Sequence, residues 1–197
     1  YPISTIRSQH PRVWFNSDNI STLKKRWTDS QFQSIVSGYQ SSSKAFSLAL
    51  QYLATGNVNS AKSAISKALG YSSSASSGSR NEAYFDIPAL VFDWCYPELS
   101  DSEKSSLISI IKARRDSYLQ NFLDHFRWHE MPFYRGGHAY FSTVLAIEGE
   151  ENVDSHMRKA QNVLQNLQEL GDEVSGDGAY RSYFYQGNVQ PLPFFLW

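Results

Sequence analysis

Residues 43–70, from Ser43 to Gly70, read Ser-Lys-Ala-Phe-Ser-Leu-Ala-Leu-Gln-Tyr-Leu-Ala-Thr-Gly-Asn-Val-Asn-Ser-Ala-Lys-Ser-Ala-Ile-Ser-Lys-Ala-Leu-Gly, and this stretch decides the fold class. Phe46, Leu50 and Leu53 recur at the three- and four-residue spacing that puts side chains on one face of a helix, with Ser43 as the expected cap. The pattern stops at Thr55-Gly56-Asn57 and resumes with Ala61, Ala64, Ile65, Ala68 and Leu69 before a second stop at Gly70. Two helices joined by so short a turn must lie antiparallel, each with an apolar face to bury.

The same grammar extends in both directions. Ser17 is placed to cap a helix carrying Ile20, Leu23 and Trp27. A second hairpin is expected from Ala83 through Leu90, Val91 and Trp94 to Pro97, then from Asp101 through Leu107, Ile108, Ile111, Tyr118 and Phe122. A third runs from about Tyr140 through Val144, Leu145 and Ile147, turns at Gly149 and returns through Val153, Met157, Ala160, Val163, Leu164 and Leu167 to Gly171. Tyr71 to Arg80, rich in serine, reads as a surface insertion between hairpins. Asn57-Val58-Asn59-Ser60 and Asn152-Val153-Asp154-Ser155 follow equivalent turn glycines, a weak repeat that stacked helix pairs account for economically. The fold class expected is all-α, antiparallel hairpins forming an incomplete toroid, with Trp14, Trp27, Trp94 and Leu145 in the core.

Composition narrows the function. With 197 residues, 18 Lys and Arg against 19 Asp and Glu, and a formal net charge of −1, the chain has no overall field to hold a nucleic acid. No apolar run approaches the roughly 20 residues that span a bilayer, so no membrane partner is expected. Cys95 is the only cysteine, which excludes an internal disulfide; following Phe92-Asp93-Trp94, it reads as a small buried apolar residue. Five Trp, twelve Tyr and twelve Phe supply flat faces for sugars as well as for a core.

Two segments concentrate chemistry. Arg127-Trp128-His129-Glu130-Met131-Pro132-Phe133-Tyr134-Arg135-Gly136-Gly137-His138 reads as a loop between helices, with histidines for proton transfer and arginines to clamp an anion. Gly176-Asp177-Gly178-Ala179-Tyr180-Arg181-Ser182-Tyr183-Phe184-Tyr185-Gln186-Gly187 adds phenols after a glycine-flanked turn; a tyrosine becomes a base only where a cation such as Arg181 or a charged histidine favours phenolate. His125 and His129, four residues apart, lack the glutamate of a zinc-protease helix, so no metal site and no cofactor is expected.

These segments, with His10-Pro11-Arg12-Val13-Trp14-Phe15 followed by Leu23-Lys24, and Phe92-Asp93-Trp94 followed by Leu99-Ser100-Asp101-Ser102-Glu103, resemble in their order the N-terminal helical domain of heparinase II/III-like polysaccharide lyases. The resemblance spans nearly the whole chain. It implies that residues 1–197 are the N-terminal part of a helical toroid domain continuing into more helices and a β-sandwich domain, which would cover apolar Phe194-Phe195-Leu196-Trp197. It further implies a secreted or periplasmic enzyme that cleaves a uronic-acid polysaccharide by β-elimination. By position, Tyr185 or Tyr183 would be the catalytic tyrosine and His129 or His138 the histidine. Trp128, Glu130, Arg135 and Arg181 would bind substrate, with Arg135 or a protonated Glu130 neutralising its carboxylate. The Asn-Asn-His triplet of some members is replaced here by Arg127-Trp128-His129.

Two other readings compete with this one. A glycoside hydrolase on an (α/α) barrel needs two carboxyl groups roughly 5–9.5 Å apart, and Glu130 with Asp177 is the pair to nominate, Asp86 and Asp93 being better suited to structural work. A non-catalytic helical glycan-binding module would release no product at all.

Overall fold

The computed structural model describes residues 8–72, 85–119, 131–159 and 162, and for residues 131–138 the helical backbone alone. Seven α-helices follow in chain order: α1 (Ile20–Thr28), α2 (Gln33–Gln40), α3 (Ala45–Thr55), α4 (Val58–Leu69), α5 (Ile87–Trp94), α6 (Asp101–Tyr118) and α7 (Met131–Ile147). Residues 154–159 form a further helical turn and a half after α7. Among the described residues there is no strand, only an isolated bridge between Glu148 and Glu151, so they are all-α as expected.

The decisive hairpin is α3–α4, whose two helices pack on each other along their length. Gly56 ends α3 at φ +73° with its N–H bonded to the Tyr52 carbonyl, and Asn57 opens α4 by accepting from Asn59 N–H at 3.0 Å. The proposed repeat has a structural counterpart at the third turn. Gly149 stands at φ +83°, and Asn152 accepts from Asp154 N–H at 3.1 Å. Both glycines occupy the left-handed region that an L side chain enters only at a cost. A Cβ on Gly56 would meet nothing within 4 Å, so the penalty there is conformational. Gly56→Ala is therefore expected to lower stability by about 1 kcal/mol without changing the fold, as a urea melt would measure.

Helix α5 is the centre of the molecule. It packs against α3, α4, α6 and α7, and Pro88 through Trp94 are all buried. A short helix apolar all round must be enclosed, and its sequence Ile-Pro-Ala-Leu-Val-Phe-Asp-Trp breaks that rule only at Asp93. Trp27, Trp94 and Leu145 are core residues, whereas Trp14 is half-buried, its ring set edge-on to Phe46 and Trp94. Cys95 is fully buried and burial pushes its thiol up, which suits the apolar role.

Several element boundaries differ from expectation. Asn19, not Ser17, precedes α1, and Lys44, not Ser43, precedes α3. Ser100, not Asp101, caps α6, in a box where Glu103 returns a bond to the Ser100 N–H at 2.9 Å. α5 begins at Ile87. The largest correction concerns the segment read as a loop before Tyr140. Its residues 131–138 are helical, the first two turns of α7. Pro132 is harmless there because the second residue of a helix has no intrahelical use for its N–H. Gly136-Gly137 each cost a helix about 1 kcal/mol, a cost the rest of this long helix offsets.

Candidate functional site

Of the residues nominated from sequence, Trp128, His129, Glu130, Arg181, Tyr183 and Tyr185 lie outside the described residues, as do His125, Asp177 and the segment Phe194 to Trp197. Arg135 and His138 lie on α7. The described residues show how α7 is held, and two polar clusters do it.

The first is a joint built on Asp93, whose side chain is entirely buried. Its two oxygens accept from Arg12 N–H at 3.1 and 3.0 Å, from Val13 N–H at 2.8 Å and from His10 Nδ1 at 2.6 Å. Trp94, next along α5, donates its indole N–H to the Val13 carbonyl at 2.9 Å. Arg12 Nη2, which can only donate, lies 3.0 Å from His10 Nε2, so Nε2 is the acceptor and the ring proton sits on Nδ1, facing Asp93. His10 is also stacked on Tyr96, with centroids 3.9 Å apart and planes 11° from parallel. Lys104 covers the Tyr96 ring at 3.9 Å, and the Tyr96 hydroxyl donates to Glu150.

Arg12 carries the joint to α7. Its guanidinium donates to the Glu148 carbonyl at 2.5 Å, the Ala146 carbonyl at 3.4 Å and the Glu148 carboxylate at 3.3 Å. These carbonyls belong to the C-terminal end of α7, where unpaired acceptors and the negative end of the helix dipole favour a cation. The segment before α1, the end of α5 and the end of α7 are thereby locked together. Asp93 is structural, as expected from sequence, and with both oxygens occupied it is no candidate for an acid or base.

The second cluster lies between α5, α6 and α7. Arg114 and Arg115 are both buried on the stripe of α6 that also carries Leu107, Ile111 and Tyr118. Arg114 donates to the Phe85 carbonyl at 2.9 Å and the Ser72 carbonyl at 2.8 Å, and its guanidinium lies 5.3 Å from the Tyr71 ring centre. Phe85 stacks on Tyr118 at 4.5 Å, Tyr118 on Tyr140 at 6.5 Å, and the Tyr140 hydroxyl is 3.0 Å from His156 Nδ1. Burial, and then the Arg115 charge, hold the His156 pKa below its ordinary value.

Asp86, just before α5, is 3% exposed, and its Oδ2 has no hydrogen-bond partner. Burial pushes its carboxyl from 3.8 up to about 7, although Ser142, its own backbone and Arg114 pull the other way. Because the folded value is raised, the contribution is greatest below pH 4 and is lost as pH rises to about 7, beyond which it is flat. The expected result is a stability difference between wild type and Asp86→Asn that changes with pH only in this window, by about 1.4 kcal/mol per unit. Urea melts at pH 5, 6, 7 and 8 measure it; a difference constant across all four would mean that Asp86 is ionised throughout.

Sequence reading gave Asp86 structural work and Tyr140 the start of a hairpin, but joined neither to Arg114, Arg115 and His156. A signal existed in α6, where two adjacent arginines fall on the apolar stripe. No described helix is long and apolar enough to cross a membrane. Comparison of the chain with protein-family models and with curated proteins finds no match.

Proposed function

We propose that the chain is the N-terminal helical part of a secreted or periplasmic polysaccharide lyase of the heparinase II/III-like kind, acting on a uronic-acid polysaccharide. The observation that carries this reading is the order of motifs along the chain, from His10-Pro11-Arg12 through Phe92-Asp93-Trp94 and Arg127–His138 to the tyrosines of residues 180–185. Helical hairpins around a central α5 agree with it, and their closure into a toroid is part of the proposal.

In this reaction the substrate's C6 carboxylate is neutralised so that the C5 proton becomes acidic. A base removes that proton, a C4–C5 double bond forms, and the oxygen leaving C4 takes a proton from an acid. Tyr185 or Tyr183 and His129 or His138 are the proposed proton carriers, with Arg135 or a protonated Glu130 at the carboxylate. Trp128 and Arg181 are the further substrate contacts. No cofactor enters this scheme.

The test is the product. Elimination leaves an unsaturated uronide that absorbs in the ultraviolet, hydrolysis leaves none, and a binding module releases nothing. A panel of polyuronates and glycosaminoglycans incubated with the protein should yield rising absorbance on at least one member. New reducing ends without absorbance would replace the lyase by a hydrolase.

A further inference from the structure

Helix α6 and the helical turns of residues 154–159 meet across a group of cations. Lys112 and Arg115 are three residues apart on α6 and so share a face, and Arg115 lies on the same stripe as Tyr118. His156 and Lys159 have the same spacing on the second helix. Three contacts bring these faces together. Tyr118 stacks on Tyr140, the Tyr140 hydroxyl lies 3.0 Å from His156 Nδ1 and 3.3 Å from the His156 carbonyl, and Lys112 Nζ donates to Glu151 at 2.9 Å. The electrostatics agree, because the charges that act on the His156 ring are those of Arg115, Asp116, Lys159 and Lys112.

Arg115 is the member that calls for an explanation. Its side chain is 4% exposed, and the side chain's single hydrogen bond among the described residues runs from Nε to the adjacent Asp116 at 3.1 Å. Nη1 and Nη2, with their four N–H donors, have no acceptor there. A buried guanidinium fork in that state bears its desolvation unless something else accepts from it. His156 is similarly placed: Tyr140 occupies Nδ1, and Nε2 has no partner among the described residues. The place is open to solvent, since the Lys112 side chain is 41% exposed, that of Asp116 is 52% exposed, and His156 is half-buried. Three permanent cations stand against two carboxylates, Asp116 and Glu151, so the sum is positive even before His156 takes a proton.

We propose that the meeting of α6 with residues 154–159 is a binding site for a tetrahedral dianion of the phosphate class. The Arg115 fork offers parallel N–H groups that match two oxygens of such an ion, His156 Nε2 is a further donor when it carries a proton, and Lys112 and Lys159 add charge. A carboxylate fits less well, having two oxygens and a single charge. Binding reverses the balance at His156. In the free protein burial, and then Arg115, hold the imidazole below its ordinary pKa; Lys159 and Lys112 act in the same direction and Asp116 in the other. A bound dianion favours the imidazolium, so a proton is taken up on binding and affinity rises as pH falls. The site uses none of the residues assigned to the elimination reaction and stands independently of that reading.

The test is calorimetry of the protein with sulfate, inorganic phosphate, acetate and chloride at constant ionic strength. Sulfate keeps its double charge at pH 6 and pH 8, so the pH dependence of its binding belongs to the protein. Wild type should bind sulfate and phosphate with a Kd on the order of 1 mM at pH 6. Sulfate should bind about tenfold more weakly at pH 8, with proton uptake read from the heats in two buffers of different ionisation enthalpy. Arg115→Lys, which keeps the charge and loses the fork, should weaken sulfate binding about tenfold, and Lys159→Gln about threefold. His156→Gln should remove the pH dependence, and exposed Arg158→Gln should match wild type. If the urea midpoint shows that Arg115→Lys is unfolded, Lys159→Gln and His156→Gln carry the test. No saturable sulfate heat in wild type would mean that water alone fills the fork, and it overturns the proposal. So do acetate or chloride binding as tightly as sulfate, wild-type affinity in a folded Arg115→Lys, or a loss in Arg158→Gln equal to that in Lys159→Gln. Glycerol phosphate binding more tightly than inorganic phosphate marks the head of a larger molecule as the ligand, and the reverse order a free ion; either supports the site.

Discussion

Replacing Asp93 with alanine is expected to destabilise the protein by about 3–5 kcal/mol, the range for breaking a buried polar network by removing one partner. The carboxylate is fully buried and receives the Arg12 and Val13 N–H groups and His10 Nδ1. Without it, those three donors lose the acceptor they share, and a buried donor left unpaired bears the cost of its desolvation. The damage should spread, because Arg12 is aimed at the end of α7 only while its own backbone is held by Asp93. Asp93→Asn keeps the shape and one carbonyl acceptor but turns an amide N–H₂ toward one of the donors, so its loss should be smaller than that of alanine and still above 1 kcal/mol. Urea unfolding of both variants reads the ranking. A loss below about 1 kcal/mol in Asp93→Ala would mean that the segment before α1 is not held in solution as described here.

The joint shows where sequence legibility ends. His10-Pro11-Arg12 and Phe92-Asp93-Trp94 stood out as separate motifs, yet no local periodicity says that residues some eighty positions apart share two oxygens. The hairpin turns were legible because their physics is local. Gly56 and Gly149 take a left-handed φ, and Asn57 and Asn152 each cap the residue two places on. The start of α7 was hidden by the same rule misapplied, since Gly136-Gly137 looks like a breaker while the helix runs through it. Arg114 and Arg115 were hidden because charge argues for solvent, although their register with Leu107, Ile111 and Tyr118 argued for the core. Register was the better guide: Arg114 is buried and donates to the Phe85 and Ser72 carbonyls.

Tyr185→Phe is expected to lower elimination by about 10²–10⁴-fold, the usual contribution of one positioned acid or base. The proposal shares the two proton transfers, from C5 and to the departing oxygen, between a phenol and an imidazole, and phenylalanine keeps the ring while removing the phenol's oxygen. Tyr185, which directly precedes Gln186-Gly187 in the sequence, is the first choice and Tyr183 the second, both outside the described residues. The companion histidine is His129, beside Trp128, with His138 on α7 as the other candidate. A pure loss of chemistry leaves substrate affinity and the urea midpoint unchanged, which separates it from a loss of fold. Measuring product absorbance for Tyr185→Phe, Tyr183→Phe, His129→Ala and His138→Ala therefore assigns the pair. If both tyrosine variants turn over at the wild-type rate, the phenol has no part in the reaction and a histidine must carry the proton alone. If Tyr183→Phe is dead and Tyr185→Phe is active, the mechanism stands with its base moved two residues along the chain.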